Sequence, residues 1–143
     1  MGESKISVLL ETATANLGRA EEAEKRGEWD DSILHASLAV ENAANALIVR
    51  LGGHEAMDHR TASALNAVAL QRAPEWTLEK EFQKMVRCGL AIQREVVYSR
   101  YPHHVNGRWI APTRFYTAGD SRKAVSNARF VLETVRDYLD RRP

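Results

Sequence analysis

The segment from residue 31 to residue 51 constrains the fold of this chain most strongly, because it is apolar around most of a helical circumference. Apolar residues recur along it in two neighbouring stripes at three- and four-residue steps, and alanine occupies many of these positions. A helix that is apolar nearly all round is buried on nearly all sides, and its alanines let other helices approach closely. The sequence therefore predicts that this segment is the central helix of a bundle.

The remaining periodicity is also helical, and no stretch shows a sustained alternation of apolar and polar residues. The predicted helices cover residues 4–25, 31–51, 60–71, 77–98 and 117–141. The sequence therefore predicts an all-α fold. Its architecture is expected to be an antiparallel, up-and-down helical bundle of four long helices plus one short helix, forming a single domain over residues 1–143.

Local signals place the ends and contacts of these helices. Thr77 is predicted to be the N-cap of the fourth helix, and Leu78 to be the first residue of its core stripe. Gly89, inside that helix, costs about 1 kcal/mol relative to alanine, so a close crossing with another helix is expected there. Thr117 and Asp120 are predicted to form a capping box at the start of the last helix.

The composition is that of an ordinary globular domain with a formal net charge of +1, so any binding of nucleic acid must come from a local patch. Cys88 is the only cysteine, which excludes an internal disulfide and suits a reducing cytoplasm. It falls in an apolar helical pattern, where a cysteine is usually a small core residue. No apolar run approaches the roughly 18 residues of a membrane span, so a cytoplasmic protein with no membrane association is expected.

The histidines do not have the spacing of a metal site. His54 and His59 are five residues apart in a loop, and His103 and His104 are adjacent. The single cysteine, Cys88, cannot complete a ligand set with them. No metal and no cofactor are therefore predicted, and the sequence assigns no role to His54, His59 or Cys88.

The segment from residue 98 to residue 116 is the main candidate for a binding site. It is expected to be a loop without regular secondary structure, and loops of that length are uncommon unless they are functional or disordered. Half of the ten aromatic residues fall in it, and no Asp or Glu occurs from Val96 to Gly119. Cations interleaved with flat rings suit an anionic partner with π systems, such as a nucleotide or RNA. The predicted nucleotide- or RNA-binding residues are Arg94, Arg100, Tyr101, Arg108, Trp109 and Arg114.

A catalytic use of the same segment is the alternative. Arg100 with His103 or His104 could supply a phosphate clamp and a general acid–base, which together suit RNA cleavage without a metal. A partner base or an oxyanion-stabilising group is not visible in the sequence. Binding without catalysis is therefore favoured, and Arg100, His103 and His104 form the catalytic set only if the protein is a metal-independent endoribonuclease.

Two polar residues interrupt the apolar surface of the central helix. Glu41 and Asn45 lie one turn apart within a stripe that is otherwise apolar. Because an unpaired buried carboxylate is costly, each residue needs a partner or a wet cavity. One interpretation is a buried polar pocket, or polar contacts at a dimer seam. The favoured interpretation is a core carboxylate paired with an arginine from another helix.

The fourth helix carries a run of cations on one face, formed by Lys80, Lys84, Arg87 and Arg94. If the loop folds back, these residues extend its basic surface over some 20–25 Å, at about 1.5 Å per helical residue. A strip of that length matches a phosphate backbone. Glutamates lie nearby in the sequence, however, so a plain solvated face is the slightly favoured interpretation.

Three stretches together resemble the HEPN domain family. The first is Arg26-Gly-Glu-Trp-Asp-Asp-Ser followed by Ala36-Ser-Leu-Ala-Val-Glu-Asn-Ala-Ala-Asn-Ala-Leu-Ile, a small turn and then an alanine-rich helix bearing a glutamate. The second is His59, in the loop before the short helix. The third is Ser99-Arg-Tyr-Pro102, followed by Tyr116-Thr and a final helix rich in alanine and valine. The similarity spans most of the chain.

The resemblance implies an α-helical bundle, usually a homodimer, whose relatives act in nucleotide or RNA transactions. Many relatives stand beside a small nucleotidyltransferase of the MNT type as a toxin–antitoxin pair, so such a partner protein is also implied. The ribonuclease branch of the family carries an arginine and a histidine separated by four to six residues. Here Arg100 is followed by histidine after only two or three. This favours the non-catalytic branch, in which Arg100, Tyr101 and Pro102 shape a binding groove.

Three hypotheses follow. In the leading one, the protein binds a nucleotide or RNA phosphate at the groove of residues 98–116. Arginines 100, 108 and 114 would contact phosphate there, while Tyr101 or Trp109 would stack on a base. In the second, the protein is a metal-independent ribonuclease toxin. In the third, the segment is a structural or protein-docking module, whose aromatic residues anchor an interface with a partner such as the nucleotidyltransferase.

Overall fold

The protein is all-α, as the sequence predicted, in a computed structural model that describes residues 4–141. The long helices are α1 (Lys5–Lys25), α2 (Trp29–Arg50), α3 (Thr61–Arg72), α4 (Lys80–Ile92) and α7 (Ala118–Leu139). The shorter elements are a 3-10 helix (Pro74–Leu78), α5 (Glu95–Tyr98), β1 (His103–Val105), β2 (Arg108–Ile110) and α6 (Pro112–Phe115). The last helix begins with the predicted capping box of Thr117 and Asp120.

The central position of α2 follows from its composition. It packs against α1, α3, α4 and α7, and its alanines are almost completely buried. The small side chains let the neighbouring backbones come close, which is the arrangement that the alanine-rich pattern predicted. By length and composition α2 could cross a membrane, but 67% of its most apolar window is buried inside the bundle, as in the core helix of a soluble protein.

The prediction of one continuous fourth helix over residues 77–98 is wrong at both ends. Thr77 lies in the 3-10 helix, where its hydroxyl donates to the carbonyl oxygen of Pro74 instead of capping α4. Leu78 is 80% exposed, and Trp76 takes the core position, packing against Tyr138. At the other end, α4 stops at Ile92 and a separate turn of helix, α5, follows. The break changes the direction in which the chain enters the candidate site.

The close helix crossing predicted at Gly89 is present between α3 and α4. A Cβ atom added at Gly89 would lie 2.8 Å from the Cβ atom of Ala62, closer than two carbon atoms can approach without a shift. Val40 of α2 is the next nearest contact, at 3.7 Å. Glycine is therefore required where α3 and α4 meet over the central helix.

The predicted unstructured loop of residues 98–116 contains a β-hairpin. Strands β1 and β2 pair antiparallel, with His104 opposite Trp109. The turn residues Asn106 and Gly107 have φ values of 49° and 76°, both positive, which is the requirement of a tight type I′ turn. Each strand has only three residues. Three residues are too few to show an alternation of apolar and polar side chains. The Asn106-Gly107 pair was the sequence feature that could have predicted the hairpin.

Replacement of Gly89 by alanine is expected to destabilise the protein, although alanine is the better helix former. The added methyl group would force α3 and α4 apart, and overpacking of this kind costs about 1–3 kcal/mol, more than the propensity gain. Gly18→Ala in α1 is the matched control, because nothing lies within 4 Å of its added methyl group. It should raise the free energy of unfolding by about 1 kcal/mol. Urea unfolding measures both changes, and a stabilised Gly89→Ala would contradict the close crossing.

Candidate nucleic-acid interface

We call residues 98–116 the hairpin segment, and its entry is fixed by Arg100. The Nε atom of Arg100 donates to the carbonyl oxygen of Val96 at 2.7 Å, which satisfies one of the free carbonyls at the end of α5. Its guanidinium lies 5.9 Å from the ring centroid of Tyr101. The other guanidinium nitrogens remain available, because the side chain is exposed. Arg100 therefore both orders the corner and presents a cation at it.

The inner side of the hairpin segment is held by His103. Its ring stacks on Phe115 with centroids 4.0 Å apart and an interplanar angle of 5°. Its Nε2 atom lies 2.7 Å from the carbonyl oxygen of Tyr98, a distance at which Nε2 must be the donor. Within the chain, His103 thus joins the end of α5 to α6, which is a structural use of this side chain.

A buried hydrogen bond anchors the end of the hairpin segment to α5. The hydroxyl of Tyr116, which is buried, donates to Oε2 of Glu95 at 2.5 Å and lies 3.4 Å from Nε2 of His103. Burial, and then the hydrogen bond to the Glu95 carboxylate, raise the pKa of the Tyr116 hydroxyl far above its usual value. Tyr116 therefore remains a neutral donor at every physiological pH.

The outer side of the hairpin segment is cationic and aromatic. Trp109 is 71% exposed and lies against His104, with ring centroids 4.8 Å apart. Arg108 and Arg114 are exposed, and within residues 4–141 neither forms an ion pair with a carboxylate. Tyr101 is also more than half exposed. The exposed surface of the hairpin segment thus carries both unpaired cations and open rings, although Arg108 pairs with Val105 and therefore lies on the opposite strand face from Trp109.

The two adjacent histidines do not lie on one surface. Successive side chains of a strand point to opposite faces. His103 is directed inward onto Phe115, and His104 outward beside Trp109. A catalytic pair that uses both rings is therefore not formed within one chain, and Arg100 and His104 are the exposed members of the predicted ribonuclease set.

Arg94, in the break between α4 and α5, lines three clefts, the smallest of which encloses about 160 Å³ and is also lined by His103 and Phe115. The guanidinium of Arg94 lies 5.7 Å from the ring centroid of Tyr98, and its Nε atom is 3.6 Å from Oε1 of Glu95. The first cleft encloses about 370 Å³ and is shared with Lys123 and Asn127 of α7. The second cleft encloses about 380 Å³ and faces the loop before α3. Sequence reasoning found Arg94 but missed the α7 residues, because nothing in the sequence shows which face of α7 lies beside α4.

Glu41 and Asn45 secure the loop between α2 and α3. Oε1 of Glu41 lies 2.7 Å from Nδ1 of His59, and Oδ1 of Asn45 accepts a hydrogen bond from the backbone N–H of Ala56 at 3.0 Å. The expected partner of Glu41 was an arginine, and the structure places a histidine there instead. Glu41 also lines a small pocket that has no room for a water molecule. Asn45 does not line this pocket. His59 adopts a left-handed conformation, with φ at 65°.

Cys88 is not arranged as a reactive thiol. It is partly buried in α4, and burial raises the pKa of its thiol despite the nearby cations of Lys84 and Arg87. A raised pKa lowers the fraction of thiolate, which is the nucleophilic form. Among residues 4–141, no three His, Cys, Asp or Glu side chains come together in a way that could hold a metal ion.

The chain belongs to the HEPN domain family, because the family model described as "HEPN domain" matches residues 6–138. A relative named "Putative toxin MJ1304", from Methanocaldococcus jannaschii, is 24% identical over 132 residues, which cover 92% of this chain and 86% of the relative. The resemblance inferred from the sequence motifs is thus confirmed.

Two solved structures have a similar fold. The crystal structure of TT1696 from Thermus thermophilus superposes with a TM-score of 0.75 at 21% identity, covering 94% of this chain and 98% of that one. The crystal structure of ST0689, described as an archaeal HEPN homologue, superposes with a TM-score of 0.71 at 19% identity, covering 96% of this chain and all of that one. At these identities the likeness shows a common fold.

Tyr116→Phe is expected to loosen the hairpin segment and to change the response to alkali. Near neutral pH, loss of the buried hydrogen bond to Glu95 should lower the free energy of unfolding by about 1–3 kcal/mol. The pKa of Tyr116 is raised in the folded state. Its contribution to the free energy of unfolding is therefore complete below about pH 10 and declines as the pH rises further. The difference between parent and variant should therefore shrink above about pH 10 in urea unfolding curves recorded at increasing pH.

The control for this measurement is Tyr138→Phe. Burial and a hydrogen bond to Glu79 raise the pKa of Tyr138 to about 12, so it should show the same alkaline trend. Its hydroxyl lies at the start of α4, away from the hairpin segment. Faster proteolysis within residues 98–116 is therefore expected only for Tyr116→Phe. Equal protection of that segment in both variants would contradict the anchoring role of Tyr116.

Proposed function

We propose that this HEPN protein binds RNA or a nucleotide phosphate on the outer side of the hairpin segment. One observation carries the proposal. Arg108 and Arg114 are exposed, have no ion-pair partners among residues 4–141, and share with the exposed ring of Trp109 a segment that contains no Asp or Glu. Cations attract the phosphates and open rings accept stacked bases, and both are needed by a binder of unpaired nucleotides.

The rigid inner side supports this use of the outer side. His103 and Tyr116 hold the base of the hairpin segment through a ring stack and a buried hydrogen bond. A preordered loop loses less conformational entropy when a ligand binds, so more of the contact energy is available as affinity. Arg100 is ordered in the same way by its bond to the carbonyl oxygen of Val96. We assign Arg100, Arg108 and Arg114 to phosphate, with Tyr101 and Trp109 as the stacking rings.

The cellular location, the oligomeric state and the partner protein are also proposals. We expect a cytoplasmic protein that forms a homodimer, with a nucleotidyltransferase of the MNT type as a partner protein. The homodimer and the nucleotidyltransferase partner are what the resemblance to the HEPN family implies. Light scattering of the purified chain tests the dimer, and a monomer at micromolar concentration would contradict it.

Binding of fluorescein-labelled single-stranded RNA should depend on the hairpin segment. Trp109→Ala is expected to weaken binding about 5- to 100-fold, because a stacked base contributes about 1–3 kcal/mol. Arg108→Ala should weaken it and reduce the dependence of log K on log[salt] by about 0.7. Fluorescence anisotropy at a series of salt concentrations measures both effects.

Arg19→Ala provides the control for charge loss, because Arg19 is exposed on α1, outside the hairpin segment. It should bind RNA as the parent does. If Trp109→Ala and Arg108→Ala also bind as tightly as the parent, or if the parent binds no RNA and no mononucleotide at millimolar concentration, the proposal fails.

The second candidate is a metal-independent ribonuclease toxin, and the similarity to the relative from Methanocaldococcus jannaschii that is named a putative toxin supports the toxin part of this candidate. The exposed residues that could serve it are Arg100 and His104. Incubation of the protein with total cellular RNA in the presence of EDTA separates the two candidates. The binding proposal predicts intact RNA and no growth defect on expression. Cleavage that His104→Ala abolishes would establish the ribonuclease instead.

A further inference from the structure

A groove between α4 and α7 carries cations that the hairpin segment does not use. Nζ of Lys84 lies 4.3 Å from the ring centroid of Phe130, so the cationic face of α4 is turned toward α7. One turn further along α4, Arg87 is exposed. Arg94 and Lys123 both line the cleft of about 370 Å³, together with the carboxylates of Glu95 and Asp120. We call Lys84, Arg87, Arg94 and Lys123, with the space between their helices, the α4–α7 groove.

The groove leads to the hairpin segment. From Lys84 to Arg94 the helical rise amounts to about 15 Å. The cleft at the Arg94 end is also lined by Phe115 and Tyr116, which close the base of the hairpin segment. A single extended ligand could therefore contact the groove and the hairpin segment together.

The nearby carboxylates, of which Glu95 and Asp120 line the cleft itself, already accept hydrogen bonds within the fold. Glu79 accepts hydrogen bonds from Arg141 and Tyr138, and these bonds lower its pKa. Glu95 accepts from Tyr116 through Oε2, and its Oε1 lies 3.6 Å from Nε of Arg94. Asp120 accepts from the backbone N–H of Thr117 in the capping box. These three side chains are already satisfied by the fold.

The cations of the groove are correspondingly open. Within residues 4–141, Lys84, Arg87 and Lys123 form no ion pair, and Arg94 has only the 3.6 Å contact with Glu95. Glu81, Glu133 and Asp137 are exposed acids of the same two helices, and Glu133 follows Phe130 by one turn. Arg87, Arg94 and Lys123 lie nearer to the hairpin segment along these helices than the three acids do.

We propose that the α4–α7 groove holds the sugar–phosphate backbone of a single-stranded RNA whose unpaired bases stack on the hairpin segment. This inference rests on the proposed function and names its ligand. A mononucleotide would occupy one end of the surface only. The run from Lys84 to Arg94, about 15 Å long, can follow a few consecutive phosphates of a single strand. The strand must be single, since paired bases cannot stack on protein rings.

Dependence of affinity on RNA length tests the groove. Anisotropy is measured with labelled oligouridylates of roughly four and roughly twelve nucleotides, the shorter covering the hairpin segment and the longer reaching the groove as well. The parent should bind the longer strand at least about tenfold more tightly. In Lys84→Gln/Arg87→Gln this advantage should largely disappear, and the salt slope for the longer strand should fall by about 1.4, or 0.7 for each lost contact. Affinity for the shorter strand should not change.

The control double variant is Arg19→Gln/Arg26→Gln, which removes the same charge from exposed positions of α1 and its C-cap. It should keep the parent's length dependence. Because Lys84 covers Phe130, Arg87→Gln/Lys123→Gln is the second test variant, and it leaves that contact intact. The circular dichroism of all variants should match that of the parent.

The outcomes separate the groove from the hairpin segment. If Trp109→Ala weakens both strands while neither groove variant changes the length dependence, the groove proposal is overturned and the hairpin function stands. If the α1 control loses as much affinity as the groove variants, the effect is general electrostatics and the groove proposal is again overturned. If AMP binds the parent as tightly as the longer strand does, the ligand is a mononucleotide and the groove proposal is overturned. If Trp109→Ala changes neither strand, the proposed function itself fails.

Discussion

The packing of α2 against four neighbouring helices is the constraint on which the rest of the structure depends. Its alanines bring α1, α3, α4 and α7 close enough to pack against one helix. The approach of α3 to α4 is so close that only glycine fits at residue 89, opposite Ala62. α4 and α7 pack against α2 and against each other, and the cleft beside them is also lined by Phe115 and Tyr116 of the hairpin segment.

Two side-chain contacts hold the hairpin segment in a fixed position against the bundle. Tyr116 donates to Glu95, and His103 stacks on Phe115. Both contacts use polar or aromatic groups at the base of the hairpin segment, so the arginines and Trp109 on its outer side need no role in folding. Exposed side chains that have no partner within the protein and do not stabilise the fold remain free to bind a ligand. This separation of the anchoring side chains of His103 and Tyr116 from the exposed side chains of Arg108, Trp109 and Arg114 is the physical basis of the functional proposal.

The sequence predicted the features that depend on periodicity and charge, and missed those that depend on tertiary contact. The central helix, the capping box at Thr117 and the glycine crossing followed from local patterns, and the structure has all three. The hairpin was missed because strands of three residues are too short to alternate. The pairing of Glu41 with His59, and the position of Lys123 beside Arg94, require knowledge of which faces meet. No single-sequence pattern carries that information.

Photocrosslinking tests the central claim most directly, because it identifies the surface that touches RNA without altering any residue. The protein is irradiated in complex with a single-stranded oligouridylate, and the crosslinked peptides are identified by mass spectrometry. If RNA binds the hairpin segment, crosslinks are expected within residues 98–116, at the exposed Tyr101 and Trp109. Longer strands should give further crosslinks on α4. Crosslinks confined to α1, or no crosslink within residues 98–116 at saturating RNA, would contradict RNA binding at the hairpin segment.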